Sequence, residues 1–170
     1  MEMKSMFSAA MMVAAIWALP AGATSLGEPE GPVLVTFSGA ITEKNNGDLA
    51  EFDRAMLEKL GWQSIDSFTT WTEGVQSFSG VPLANLMEAV GVTGGQFRAI
   101  ALNDYSVTIP VSDIEEYNVF LALDRNGTPM RVRDKGPSWI IYPRNAALEG
   151  SGPHDSKMIW QLKQIEVLAE

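Results

Sequence analysis

Cysteine is absent from this chain, and histidine occurs once, at His154. Without thiols the protein can form no disulfide, iron–sulfur cluster or thiolate zinc site. A single imidazole cannot build a histidine-rich metal centre either. The folded part must therefore be stable through packing alone.

Positive charge is also scarce. The sequence has 12 Lys and Arg against 21 Asp and Glu, which gives a formal net charge of -9. An acidic field repels phosphate backbones, so nucleic acid and anionic membrane surfaces are disfavoured as partners. The chain also lacks a glycine-rich phosphate loop, a Gly-x-Ser-x-Gly elbow and a His-Glu-x-x-His motif, so nothing points to those classes of enzyme.

The first residues have the pattern of an export signal. Lys4 precedes an apolar run from Met6 to Leu19, and Ala21-Gly22-Ala23 supplies small residues for cleavage before Thr24. The run is short for a membrane span. We expect residues 1–23 to be a signal peptide and residues 24–170 to form one periplasmic domain. An uncleaved N-terminal anchor is the alternative.

Three segments have helical patterns. The first ends at Gly61 and has its apolar residues on one face: Phe52, Met56, Leu57 and Leu60. The second covers Leu83–Val90 and ends at Gly91. The third runs from Ser112 to Tyr117, with Ser112 as the predicted N-cap and Glu115 completing a capping box.

Other apolar and β-branched runs predict strands at Val33–Phe37, Phe97–Leu102, Ser106–Ile109, Val119–Leu123, Ser138–Tyr142 and Trp160–Leu168. Asn126-Gly127 favours a two-residue hairpin, so Val119–Leu123 should pair with Met130–Arg133. Many strands with few short helices indicate an α+β fold with mixed sheets.

Three segments, Gly80–Leu83, Ala101–Pro110 and Gly136–Pro143, together resemble the molybdopterin-binding domain of the sulfite-oxidase family. The resemblance covers about Ser67 to Val167 and implies a sulfite-oxidase-like fold. In that family a cysteine thiolate normally binds the metal, and a hard carboxylate or hydroxyl cannot replace this soft ligand. The sequence therefore combines a pterin-binding scaffold with the loss of the metal-binding residue.

The runs Ala-Leu-Asn-Asp-Tyr, Arg-Asp-Lys-Gly-Pro and Ile-Tyr-Pro are most similar to small, cysteine-free exported members of the family. These include periplasmic regulators that bind a reduced pterin without molybdenum. The resemblance implies a non-catalytic, pterin-binding protein that regulates an inner-membrane diguanylate cyclase/phosphodiesterase through its periplasmic sensor domain. Two alternatives stay open: a molybdopterin-dependent oxidoreductase or subunit of the sulfite oxidase family, and a structural partner of a membrane protein with a vestigial pocket.

The resemblance also implies a ligand pocket. Tyr105 matches a family tyrosine that faces the cofactor, and Asn103 and Asp104 would be its polar neighbours, although Asn and Asp are also ordinary turn residues. Trp71 lies where the family has its cysteine. An indole stacks well on a flat pterin, but tryptophan is more often a core residue.

Polar residues near the C-terminus are the second group of ligand candidates. The resemblance places Arg144, Ser156 and Lys157 at positions that contact the pyranopterin and its phosphate, and Arg133 belongs to the same basic group. A solvated rim is the alternative for such basic side chains. For His154 no nucleophile of matching context is visible, so we predict no catalytic residue.

Overall fold

The computed structural model describes residues 26–144 and 152–169, so the predicted signal peptide lies outside the described residues. Strands dominate these ranges, and they form two five-stranded sheets. The strands are β1 (Val33–Gly39), β2 (Ala50–Asp53), β3 (Gln63–Phe68), β4 (Val75–Pro82), β5 (Gln96–Ala101), β6 (Ser106–Pro110), β7 (Phe120–Arg125), β8 (Thr128–Pro129), β9 (Trp139–Ile141) and β10 (Leu162–Leu168). The helices are short: α1 (Arg54–Glu58), α2 (Leu83–Ala89) and α3 (Ser112–Glu116).

The first sheet has the order β2-β1-β10-β5-β6. Its central strand, β10, pairs in parallel with β1 and antiparallel with β5. Apolar residues alternate along these strands, so one face of the sheet is buried, as at Val35 and Phe37 in β1 and Phe97 and Ala99 in β5.

The second sheet has the order β3-β4-β7, with β8 and β9 both pairing with β7. Strand β7 is buried from Phe120 to Asp124, as expected for a central strand. Gly80 lies beside a register shift between β4 and β7, and a Cβ there would come within 2.0 Å of the Leu121 carbonyl oxygen. Only glycine allows the two strands to approach so closely.

The predicted strand Val33–Phe37, the helix at Leu83 and the strands beginning near Phe97 and Ser106 are confirmed. Helix α2 buries Leu83, Leu86 and Met87, which is the apolar face that the sequence pattern indicates. Strands β2, β3 and β4 are not anticipated by the sequence patterns above.

The prediction of a helix containing Phe52 is wrong. Phe52 belongs to β2, and α1 begins only at Arg54 because the Asp53 side chain caps it and accepts a hydrogen bond from the Met56 N–H at 2.9 Å. The Asp53 carboxylate also accepts the Gly31 N–H, and these backbone hydrogen bonds lower its pKa.

Two further predictions need correction. The N-cap of α3 is Val111 and makes no side-chain cap bond, so the capping box from Ser112 to Glu115 is absent. Strand β7 pairs with β8 (Thr128–Pro129), and of the predicted partner Met130–Arg133 only Met130 continues the pairing, because its N–H donates to the Leu123 carbonyl at 2.9 Å. After Met130 the chain leaves the sheet and forms a 3-10 turn at Val132–Asp134.

No helix within residues 26–144 and 152–169 is long and apolar enough to cross a membrane.

Candidate functional site

A cleft of about 360 Å³ opens between the β5–β6 turn and the segment that precedes β10. Its walls are mostly aromatic and aliphatic, with a few polar groups at the edge. The lining residues are Trp71, Ala101, Asn103, Tyr105, Asp155, Ser156, Met158, Ile159 and Trp160.

One wall of the cleft consists of two half-buried indoles, Trp71 and Trp160. Their ring centroids lie 5.3 Å apart in an edge-to-face arrangement. Both pack on the fully buried Trp139, at 6.2 Å and 6.1 Å. Because Trp139 belongs to β9 and its indole N–H donates to the Met158 carbonyl, the sheet fixes the position of this wall.

The turn between β5 and β6 also lines the cleft, through Asn103 and Tyr105. The Asn103 side-chain oxygen accepts the Tyr105 N–H at 3.2 Å, which leaves the Tyr105 side chain 54% exposed beside the cleft. Asp104 has a left-handed φ of 64° and forms an ion pair with Lys163 at 2.7 Å. Its carboxylate does not line the cleft.

The floor of the cleft contains a 3-10 turn, Asp155–Lys157. The Asp155 carboxylate accepts hydrogen bonds from Thr70 Oγ1 at 2.6 Å and from the Gly152 N–H at 2.8 Å, and it pairs with Arg144 at 3.2 Å. These contacts connect the turn to the loop after β3 and to the end of β9. Ser156 lies between the two charged ends of the turn.

Lys157 closes the other end of the turn. Its ammonium donates to Asp113 Oδ2 at 2.5 Å, and the same oxygen accepts the Tyr142 hydroxyl at 2.8 Å. Burial opposes the charge on Asp113, but the hydrogen bonds from Lys157 and Tyr142 outweigh it and lower the pKa of this carboxyl. Burial and the bond to Asp113 raise the pKa of Tyr142.

His154 packs beside this ion pair. Its ring stacks on Tyr142, with centroids 4.9 Å apart, and lies 4.2 Å from the Tyr117 ring. Its buried Nδ1 has no hydrogen-bond partner in the described part of the chain. The imidazole is thus a packing element beside the cleft floor.

Four of the predicted ligand residues line the cleft: Trp71, Asn103, Tyr105 and Ser156. The other four lie outside its lining. Asp104, Arg144 and Lys157 form the ion pairs described above, and Arg133 is 70% exposed on the turn after β8. The roles of all eight residues as ligands stay predictions.

The sequence patterns missed Trp160 as a wall of the cleft, because it was assigned to the last strand. It precedes β10 and forms an isolated bridge with Trp139. Within residues 26–144 and 152–169, no group of three or more His, Asp or Glu side chains is placed to bind a metal ion.

No family model matches the chain, and no curated protein matches it. Among solved structures, the crystal structure of the sulfane dehydrogenase SoxCD from Paracoccus pantotrophus is similar, with a TM-score of 0.62 and 16% identity. The match covers 81% of this chain but only 38% of that one. Identity this low bears on the fold alone. The chain therefore shares a distant fold resemblance with that dehydrogenase, consistent with the sulfite-oxidase-like α+β fold predicted from sequence.

Proposed function

We propose that the protein binds a reduced pterin, without molybdenum, in the cleft between Trp71, Trp160 and Tyr105. The observation that carries this proposal is that three aromatic side chains, Trp71, Trp160 and Tyr105, line one small concave space. Flat, polar-edged ring systems stack on such faces, and each good stacking contact contributes about 1–3 kcal/mol to binding.

The size and polarity of the cleft fit a bicyclic ring. Its volume of about 360 Å³ lies near the lower end of the range for small-molecule sites, roughly 300–1,000 Å³. Asn103 uses its oxygen within the turn, so its amide NH₂ is the group that can donate to a ring acceptor. The Ser156 hydroxyl is the second polar group at the edge.

We further propose that the liganded protein is a non-catalytic periplasmic regulator of an inner-membrane diguanylate cyclase/phosphodiesterase. Support comes from the motif resemblance, from the export pattern of residues 1–23 and from the absence of cysteine. A ligand can regulate such a partner only through different affinities for the free and partnered forms.

Ligand binding is tested by the melting temperature of the mature protein with and without 6-methyltetrahydropterin. A ligand that binds only the folded state raises the melting temperature. Tyr105→Ala and Trp71→Ala should reduce that rise. The matched control is Trp62→Ala, because Trp62 is also half-buried but packs under Arg54 and does not line the cleft. If both cleft variants respond as wild type, the pterin site is elsewhere.

Regulation is tested by the affinity of the protein for purified periplasmic sensor domains of the producing organism's inner-membrane cyclic-di-GMP enzymes. The expected result is a change in affinity on adding 6-methyltetrahydropterin, which Tyr105→Ala removes. Equal affinities with and without pterin would contradict the regulatory role.

The fold resemblance to a sulfane dehydrogenase favours one catalytic alternative to the regulator, namely a molybdopterin-dependent oxidoreductase or a subunit of one. The missing thiolate argues against it, because the family that the chain resembles normally binds its metal through a cysteine, and this chain has none. Elemental analysis of the purified protein separates the two functions. About one molybdenum per chain would favour the oxidoreductase and overturn the regulator.

A further inference from the structure

Exposed apolar side chains gather at the mouth of the cleft. Among the described residues, five large hydrophobic side chains are exposed, and three of them are Leu102 at 44%, Tyr105 at 54% and Val132 at 52%. Gln161 joins two of these positions, because its carbonyl accepts the Leu102 N–H at 2.8 Å and its side chain donates to the Val132 carbonyl at 2.7 Å. The exposed residues Leu102 and Val132 therefore both lie beside Gln161.

The same surface is positively charged, although the protein as a whole is acidic. Arg131 and Arg133 flank Val132, with side chains that are 65% and 70% exposed. Asp134 is the carboxylate that both arginines approach, at 2.8 Å and 3.8 Å. Arg125 also lies close enough to act on the charges of Asp134 and of its neighbour Lys135. We define the basic rim as Leu102, Arg125, Arg131, Val132, Arg133 and Lys135.

Lys135 connects the basic rim to the cleft. Its ammonium lies 4.2 Å from the centroid of the Trp160 ring, and Trp160 is a wall of the cleft. Its backbone carbonyl also accepts the Gln161 N–H at 3.1 Å. Burial and the nearby charge of Arg125 lower the pKa of Lys135, in keeping with cations crowded together here.

We propose that the basic rim is the docking surface for an acidic, apolar-centred patch on a partner protein, and that Trp160 and Lys135 transmit the state of the cleft to that partner. This inference rests on the proposed function and deepens it. Apolar residues ringed by charges are typical of protein interfaces, and complementary charge guides the encounter.

Charge decides between a protein and a polyanion as the occupant. The net charge of -9 repels an extended polyanion such as nucleic acid or an anionic bilayer. A compact partner can place its carboxylates against the basic rim alone. The local positive surface therefore favours a protein.

The surface is tested with the double variant Arg131→Glu/Val132→Asp. Its matched control is Lys59→Glu/Val75→Asp, which makes the same charge changes at an exposed lysine and an exposed valine away from the rim. Binding of both to the purified periplasmic sensor domains is measured by surface plasmon resonance at two salt concentrations. We expect the rim variant to lose about tenfold or more in affinity, with a slower association rate, and the control to stay within about threefold of wild type.

Measuring pterin binding by the wild type and the rim variant distinguishes failure of this inference from failure of the proposed function. The rim variant should bind 6-methyltetrahydropterin as wild type does, because neither changed side chain lines the cleft. If wild type binds no pterin but the rim variant still loses its partner, the proposed function fails and the docking surface stands. If pterin binds but both double variants keep the partner equally well, the docking surface is overturned.

Transmission is tested with Lys135→Met. We expect the variant still to bind both 6-methyltetrahydropterin and the partner domain. In wild type, pterin should change the affinity for the partner about fivefold or more, and in the variant this ratio of affinities should approach one. An unchanged ratio overturns the coupling through Lys135. The proposed partner class is overturned if the wild-type protein binds none of the sensor domains. It is also overturned if the wild-type protein binds anionic vesicles or duplex DNA more tightly than the sensor domains.

Discussion

Arg144 and Lys157 differ from Arg131 and Arg133 in what they contact. The side chains of the first pair are only 12% and 26% exposed. Arg144 forms an ion pair with Asp155, which is 16% exposed, and Lys157 forms one with Asp113, which is 9% exposed. The second pair is 65% and 70% exposed and shares one carboxylate, Asp134. The same kind of charge thus occupies two different environments, one largely buried and one exposed.

The difference teaches that basic side chains near the cleft can serve the fold through ion pairs. Arg144 and Lys157 hold the two ends of the Asp155–Lys157 turn through Asp155 and Asp113, and their roles as ligands stay predictions. Removing one partner of a buried ion pair leaves an uncompensated charge and is costly. Exposed ion pairs contribute little to folding, so rim cations are available for a partner.

The largest expected effect is on the inner pair. Lys157→Met should lower the free energy of unfolding by about 3 kcal/mol, because it leaves Asp113 buried without its cation. Arg131→Ala on the rim should change it by less than about 1 kcal/mol. Urea unfolding of both variants measures the contrast. Equal losses would remove the distinction between inner and rim cations.

The next effect concerns the aromatic wall. Tyr105→Ala should weaken binding of 6-methyltetrahydropterin by about 1–2 kcal/mol while leaving the stability nearly unchanged, because the side chain is 54% exposed. Tyr105→Phe should bind as wild type, since the ring provides the stacking. Isothermal titration calorimetry measures both. A loss in the Phe variant as large as in the Ala variant would show that the hydroxyl matters instead.

A smaller effect is expected on acid stability. The folded pKa of Asp113 lies below its unfolded value of about 3.9, so its contribution is fully present above that pH and is lost as the pH falls through the lower, folded value. Wild type should therefore lose more stability between pH 5 and pH 2.5 than Asp113→Asn. Parallel pH profiles of unfolding would contradict this assignment and place the acid sensitivity at other carboxylates.

The smallest expected effect concerns Lys135, whose ammonium lies over the Trp160 ring. Lys135→Met should lower the free energy of unfolding by about 0.5–1 kcal/mol through the lost cation–π contact. Thermal unfolding checks it against Lys59→Met, an exposed lysine outside the rim. A larger loss would mean that Lys135 supports the fold as well as the rim.

Local patterns were sufficient for part of the fold. The alternation at Val33–Phe37 and the apolar face of Leu83–Val90 depend on neighbours in sequence, and both elements are where they were predicted. Strand β3 has an exposed first half, so its alternation is weak. The prediction of a helix that includes Phe52 is wrong, because Asp53 caps the helix and α1 begins later than the apolar spacing indicates.

The cleft could be predicted only in part, for a related reason. Trp71, Asn103, Tyr105 and Ser156 were found through the motif resemblance, but Trp160 joins them only because β9 places Trp139 beneath it. The ion pair of Lys157 with Asp113 joins residues 44 positions apart. No sequence pattern reveals that these two charges form an ion pair with each other.

Strand β10 lies at the centre of the first sheet, between β1 and β5, although it is synthesised after every other strand of that sheet. Until it leaves the ribosome, β1–β2 and β5–β6 are two separate hairpins with no strand to join them. Two-stranded hairpins are at best marginally stable in water. The first sheet can therefore be completed only once β10 has been synthesised.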